Sequence, residues 1–582
     1  MMDTPGKTIH HLIIFFWDTM GFKDKLNNLR ECKVNSNIYD AYFNQDIDEN
    51  SIYVESRNGF DFTGNMFRIV EELSTGKYGD FRIYIFAQSH IRPKIEEYKR
   101  NYNLNIYRII DSEDEACRIL HNVKYIFADS GIRYKYVKKP GQVFINTWHG
   151  TIMKLMGIDN VHEQLSMGII QRSLLFSDYL ALPSDYLQDR LLSSFMLEDI
   201  YPGKVLLEGY PRNSVFLDED KRSEFKRKFD LTDHEIFIYM PTFKGLVDDR
   251  KDEKQKDDVS HFLDQIDDGL KDNQVLFVKL HPYNTQQLDF SKFTHIRPFP
   301  MGFEIYDIVN MADCLITDYS SVFFDFANTG RKIIIFNYDE EEYLADRGFY
   351  FSLSELPFPK VQTVEDLIGE MNAPKEYDDE QFIERFCQYE NVNCVSHICE
   401  TIFLGNDSYR SAQIGNGKSS VLIYGGDLSD EGILNSLVEF TGYINGEKYN
   451  VFITFCPWMK NIKENHADII ERFPESVGFL PFSANIMPTI KEKLDYNKLF
   501  KNCNSKNYTG ILRKFFERSF KQQYGNMKFD HIISVDDFDR ALIFDNACDN
   551  FHMISKGESK VQKLISDDKI AENFEDLIEI FK

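Results

Sequence analysis

Residues 312–330 read ADCLITDYSSVFFDFANTG, an apolar run that ends in a short polar corner and then becomes apolar again. The run through Ile316 predicts a buried strand. Val322 to Ala327 predicts a buried helix whose first turn contains Ser320 and Ser321. Strand, corner and helix together make half of a βα unit. In open parallel sheets, ligands bind outside the carboxyl ends of the strands. Serine hydroxyls and free backbone N–H groups at a helix start are suited to phosphate. The helix dipole adds only about 0.3–1 kcal/mol at an exposed site, so several donors have to act together. Asp318 and the two serines would also serve as helix caps, and the two roles use the same groups.

Outward from this stretch, short β-rich runs alternate with helix-length segments, the pattern of βα units and a mostly parallel sheet. One series occupies 12–17, 51–56, 82–87, 105–110, 125–130, 143–148 and 179–184. A second follows at 205–211, 236–242, 275–282, 314–321 and 332–339. These divide the chain into α/β units at 1–200 and 201–404. The charge run DDRKDEKQKDD at 248–258 reads as a solvated loop. A Gly-, Ser- and Asn-rich stretch at 405–420 reads as a linker, and VLIYGGDLSDEGILNSLVEF opens a third α/β unit over 421–582.

Bulk properties agree with several globular units. The chain has 582 residues, and domains run to about 100–200 residues each. A formal net charge of −26 argues against nucleic-acid partners, which need a basic surface, but leaves room for a small phosphorylated ligand. Nine cysteines, an odd number without a Cys-x-x-Cys, suit reduced thiols in a cytoplasmic chain. A zinc site at Cys394, His397 and Cys399 is the alternative for that cluster. The apolar core of HHLIIFFWDTM is six residues long, far below the roughly 20 of a membrane span, and it lacks the features of a signal peptide.

Nearly every strand exit carries groups able to do chemistry. They are Thr147-Trp148-His149-Gly150-Thr151, then Arg212 within EGYPRN, Thr242-Phe243-Lys244, His281-Pro282, Thr317 to Ser321, and Asn337 to Asp339. A lone histidine is more often a satisfied core residue. Two of them at strand exits of successive units would meet across a cleft. His149 would then take a proton from an acceptor hydroxyl, a role worth roughly 10²–10⁴-fold. His281, Ser320, Ser321 and Thr242 would hold phosphates and stabilise the leaving group.

These motifs carry a resemblance. VFINTWHGT, EGYPRNSVF, YMPTFKG, VKLHPY and DCLITDYSSVFFDFANTGRKIIIFNYDEEEYLADRGFYF resemble, in order and spacing over roughly 50–400, the CDP-glycerol glycerophosphotransferase family of teichoic acid and capsule enzymes. The resemblance implies a GT-B fold of two Rossmann-like domains, with a third α/β domain following here. It implies transfer of glycerol phosphate or ribitol phosphate from CDP-glycerol or CDP-ribitol to an acceptor hydroxyl, with CMP released. His149 then matches the base, His281 the contact to the donor pyrophosphate, and Ser320 and Ser321 the phosphate corner. Arg347 matches an arginine near the donor. Gly150, Thr151, Arg212, Lys244, Thr317 and Asp318 complete the candidate binding set. Ile152 stands where the family commonly has proline, and Lys244 where arginine is frequent.

The resemblance implies no obligatory metal, although Mg²⁺ can accompany the pyrophosphate. Asp-x-Asp triplets at 46–48 and 536–539 are the rival metal reading. It also implies a lipid-linked or glycan acceptor and a peripheral place at the inner membrane face. Residues 151–176 are apolar and helical enough to lie on a membrane surface, or else to be buried inside the first domain. The third unit resembles the opening of another GT-B glycosyltransferase. Its roughly 165 residues are about half of a complete one, so it reads as degenerate, regulatory or interacting, or as the start of a longer chain. Its GGDLSDEG loop would be a phosphate cradle or a tight turn. Two other functions share the evidence: a nucleotide-sugar transferase on the same fold, and an inactive scaffold of a polymer-synthesis complex.

Overall fold

The computed structural model describes residues 22–241, 262–279, 289–338, 348–426, 428, 430–502, 510–535, 541–554, 569–571 and 574–581. The expectations for 12–17 and 248–258, for Thr242, Lys244, His281 and Arg347, and for 536–539 lie outside these residues.

Seven parallel strands build the first sheet: β1 (Asp48–Glu55), β2 (Arg82–Phe86), β3 (Arg108–Ile110), β4 (Val123–Ala128), β5 (Val143–Asn146), β6 (Tyr179–Ala181) and β7 (Lys204–Leu206). Their order is β3-β2-β1-β4-β5-β6-β7. The second sheet holds β8 (Glu235–Met240), β9 (Gln274–Val278), β10 (Ile296–Pro298), β11 (Cys314–Thr317), β12 (Lys332–Phe336) and β13 (Lys360–Val361), ordered β10-β9-β8-β11-β12-β13. Both reverse direction beside their first strand, as Rossmann sheets do. Every residue of β9 and β12 is buried, because helices cover both faces of a parallel sheet.

Two boundaries differ from the sequence expectation. The run at 205–211 was expected to open the second unit, but Lys204–Leu206 pairs with β6 and closes the first sheet. Helix Asp185–Ser194 makes β6 and β7 one βαβ unit, and consecutive strands of such a unit lie side by side. The expected linker contains β14 (Ser411–Gln413), which runs antiparallel along β7 and satisfies its open edge. Just before it, helix Cys394–Leu404 returns to the first sheet. Val395 and Cys399 pack with Ile52 and Val54, and Cys394 and Ile398 pack with Ala181 and Leu206. Those thiols are core groups. His397 Nδ1 instead meets Glu208 Oε2 at 2.7 Å and its ring stacks on Tyr409, which removes the zinc reading.

The third sheet contains β15 (Ser419–Tyr424), β16 (Tyr449–Thr454), β17 (Val477–Phe479), β18 (His531–Ser534), β19 (Phe551–Ile554) and β20 (Ile570–Ala571), in the order β17-β16-β15-β18-β19-β20. Its glycine loop is a tight turn: Gly426 has φ 68°, and Leu428, at φ 49° and buried, folds back over Gly425. Rings of Tyr424, Phe482 and Phe544 fill the space beyond β15, and Tyr524 reaches Thr454 Oγ1 at 2.8 Å.

This unit shares one continuous core with the first. Helix Gly168–Phe176, within the segment weighed for membrane contact, is spent on that interface. Gln171 Nε2 donates to Phe479 O at 2.7 Å and Arg172 Nε to Gln522 O at 2.6 Å, while Leu174, Leu175 and Phe176 are buried. No helix among the described residues is long and apolar enough to cross a membrane. A Cβ on Gly168 would lie 2.1 Å from Pro481 O. Gly168→Ala therefore has to push the units apart, at a cost of about 1–3 kcal/mol. Thermal unfolding and limited proteolysis check this; a variant as stable and protease-resistant as wild type would mean that the units do not dock here.

The first unit also holds a fully buried histidine. His121 Nε2 accepts from Val137 N at 3.0 Å, and burial, aided by Lys139, holds its pKa down to about 3. Unfolding restores the ordinary value near 6.5, so the unfolded state binds the extra proton between those limits. Stability is full above pH 6.5 and falls as pH drops toward 3, by on the order of 5 kcal/mol in total. His121→Phe should flatten that slope in urea unfolding measured across the range.

Candidate active site

β5 ends in Asn146, and the chain turns sharply there. Trp148 sits at φ 54°, a left-handed conformation that costs a bulky residue free energy and calls for external support. Asn146 Oδ1 accepts from Trp148 N at 2.8 Å, and Asn65 Nδ2 donates to Trp148 O at 3.2 Å. The turn delivers His149 half-buried beside the buried indole. Its Nδ1 lies 3.0 Å from Asp129 O, a carbonyl that can only accept. The proton is therefore on Nδ1 and the lone pair on Nε2, the tautomer a base needs. Burial lowers the His149 pKa below its usual 6.5; Arg57 and Arg212 add to this and Asp129 opposes it.

Asp129 is the residue after β4, at the point where the first sheet reverses order. Its carboxylate accepts from Ser56 Oγ and Arg57 N, both at 2.7 Å, tying together the exits of β1 and β4. Gly150 then meets the second unit: a Cβ there would lie 3.2 Å from Ser321 Oγ. A larger residue there would have to displace the Ser321 hydroxyl by a few tenths of an ångström, so glycine lets the His149 turn and the serine corner meet without strain.

Ser320 and Ser321 are half-buried at the exit of β11, the reversal point of the second sheet. Ser321 makes no side-chain cap bond to the helix Val322–Ala327, so its hydroxyl is not consumed by capping. Asp318 Oδ1 accepts from Tyr319 N at 2.6 Å and shapes the corner. Thr317 is fully buried and its hydroxyl donates to Met240 O at 2.7 Å, which holds β11 to β8. Thr151 is buried. After it, Leu155 N donates to Gly348 O at 3.0 Å and Tyr350 N to Met153 O at 2.9 Å, so 348–350 lies along the loop that follows His149.

Arg212, one of the expected binding residues, is a buried clamp between the units. Its Nη1 donates to His149 O at 2.8 Å, and Nε and Nη2 to Asp325 Oδ1 at 3.1 and 2.9 Å. Its backbone N reaches Asn65 Oδ1 at 3.1 Å. The Asp325 carboxylate keeps the guanidinium charged despite burial. Arg68 continues this seam, pairing with Asp307 and Glu304 across the units.

The sequence reading passed over Asp129, Asn65, Asp325 and Arg57. Asp129 and Arg57 stand just past β4 and β1, so the strand-exit rule applied to every strand would have found them. Asn65 and Asp325 lie inside helices and carry no local signal. Asp48, of the triplet at 46–48, pairs with Arg82, and among the described residues no group of three or more His, Cys, Asp or Glu is placed to hold a metal.

Comparison with known proteins follows the same geometry. The teichoic acid poly(glycerol phosphate) polymerase of Bacillus subtilis strain 168 is 27% identical over 353 residues, 54% of this chain and 46% of that protein. The chain thus matches less than half of that polymerase's length. A teichoic acid glycerol-phosphate transferase of Staphylococcus aureus is 28% identical over 287 residues, 46% of this chain and 72% of that protein. The solved wall teichoic acid polymerase TagF superposes with a TM-score of 0.54 at 21% identity, covering 66% of this chain and 97% of that one, and so shares the GT-B-like α/β fold. Residues 37–404 match the family described as CDP-Glycerol:Poly(glycerophosphate) glycerophosphotransferase, and the chain belongs to that family.

Proposed function

We propose that this chain transfers glycerol phosphate, or ribitol phosphate, from a CDP-alditol to an acceptor hydroxyl in teichoic acid or capsular polymer synthesis. One observation supports this most: a histidine held as the Nε2-basic tautomer stands next to a glycine that abuts the Ser321 hydroxyl of the opposite unit. His149 takes the proton of the acceptor hydroxyl as its oxygen attacks the alditol-bearing phosphorus. The new P–O bond forms, the pyrophosphate P–O bond breaks, and CMP leaves. Ser320 and Ser321 hydrogen-bond the phosphate oxygens whose charge shifts in that step. Any Mg²⁺ enters with the donor.

The acceptor is a glycan or lipid-linked chain end, presented at the inner membrane face. Helix Gly168–Phe176 is not the membrane contact, because the third unit covers it.

Ligand-induced stabilisation tests the donor class, since a ligand that binds only the folded state raises the melting temperature. CDP-glycerol or CDP-ribitol should raise it, and Ser321→Ala should reduce the shift. Stabilisation by a UDP- or CMP-sugar with none by either CDP-alditol would replace this reading with a sugar transferase.

A further inference from the structure

Cations cluster where the first two units meet, and most are neutralised. Lys94 is 2.6 Å from Asp61, Arg212 is held by Asp325, and Arg68 by Asp307 and Glu304. Two are not. Among the described residues, neither the exposed Arg57 guanidinium nor the half-buried Lys279 ammonium has a carboxylate partner or a side-chain hydrogen bond. In a chain with 93 acidic and 67 basic residues, two unpaired cations in one place need an explanation.

Their positions supply it. Arg57 follows β1 at the reversal point of the first sheet, and Lys279 follows β9, beside β8, in the second. Arg57 N donates to Asp129, whose carbonyl orients His149, so the guanidinium is rooted one residue from the group that fixes the base. The turn carrying it is strained: Arg57 and Asn58, neither a glycine, have φ of 45° and 55°. Such conformations cost of order 1–3 kcal/mol each and persist where the surroundings enforce them. Here the Asp129 bond, Gly59 N to Ser56 O at 2.8 Å and Gln88 N to Gly59 O at 2.9 Å do so. The two charges also feel each other. Burial lowers the Lys279 pKa, with Lys94 and Arg57 adding to the effect and Asp61 opposing it.

We infer that Arg57 and Lys279 form an anion subsite across the cleft beside His149 that takes a phosphate of the substrate. The inference rests on the phosphotransfer reading above. The phosphate belongs either to the donor pyrophosphate or to the phosphorylated end of the acceptor.

Calorimetric titration of wild type, Arg57→Gln, Arg57→Lys and Lys279→Met with inorganic pyrophosphate and with glycerol 3-phosphate tests it without turnover. Arg57→Gln and Lys279→Met should each weaken one anion by about 10- to 100-fold, the size of a charge-assisted hydrogen bond, with Arg57→Lys in between. Melting temperatures should not fall, because among the described residues neither side chain has an ion pair or hydrogen bond to lose, and Lys279 Nζ lies only over the Phe299 ring at 6.0 Å. Loss confined to pyrophosphate assigns the donor, and loss confined to glycerol 3-phosphate assigns the acceptor end. No binding of either anion by wild type, or unchanged binding in both variants, overturns the subsite. Binding that depends on Arg57, in a protein that does not consume CDP-alditols, would leave the subsite standing while the reaction reading fails.

Discussion

Replacing His149 with alanine should lower kcat for CMP release by about 10²–10⁴-fold, the usual worth of a positioned general base, while the KM for the donor stays within a few-fold. The asymmetry follows from geometry. The Nδ1 bond to Asp129 O is intramolecular, so the imidazole contributes to proton removal rather than to donor binding. The pH profile carries the same prediction. Burial holds the His149 pKa below 6.5, so the neutral imidazole is the major form at that pH. The acidic limb of kcat/KM should therefore fall below pH 6.5, tenfold per unit, and disappear in His149→Ala. A limb centred above 6.5, or a mutant with wild-type kcat, would remove His149 from the mechanism.

Arg212→Met should destabilise the protein by about 3–5 kcal/mol, the cost of leaving a buried charge without its partner. Asp325 is 2% exposed and receives two of the guanidinium's bonds, with Tyr306 OH on its other oxygen at 3.2 Å. The same change releases His149 O, so the base loses part of its support and kcat falls as well. The double variant Arg212→Met, Asp325→Leu should recover much of the stability, since replacing both partners with apolar groups is often near neutral. It should not recover kcat. Urea unfolding and steady-state kinetics on the two variants separate these effects, and a single variant as stable as wild type would show that the seam does not hold the units together.

Strand exits were the most legible feature of the sequence. The apolar runs that became β1, β2, β4, β5, β8, β9, β11 and β12 are short, aromatic or β-branched, and bounded by polar turns. β10 and β13 escaped because Ile296-Arg297-Pro298 and Lys360-Val361 have no apolar run and pair only through context. β7 was visible but assigned to the wrong sheet, because nothing local in Lys204–Leu206 says which neighbour it will pair with. His149, Ser320 and Ser321 were legible because a strand exit is a local property. Arg212 was singled out, but its clamp role was not legible: its partners, Asp325 and His149 O, are 113 and 63 residues away. The docking of the third unit was invisible for the same reason. Segment 151–176 looks apolar whether lipid or another domain covers it.

The most direct measurement is acceptor-dependent CMP release by the wild-type chain, with CDP-glycerol and CDP-ribitol in parallel and a glycerol-phosphate-primed acceptor present or absent. Release from one donor that requires the acceptor is the expected result. No release from either donor, with turnover of a nucleotide sugar by the same preparation, would contradict the phosphotransferase reading.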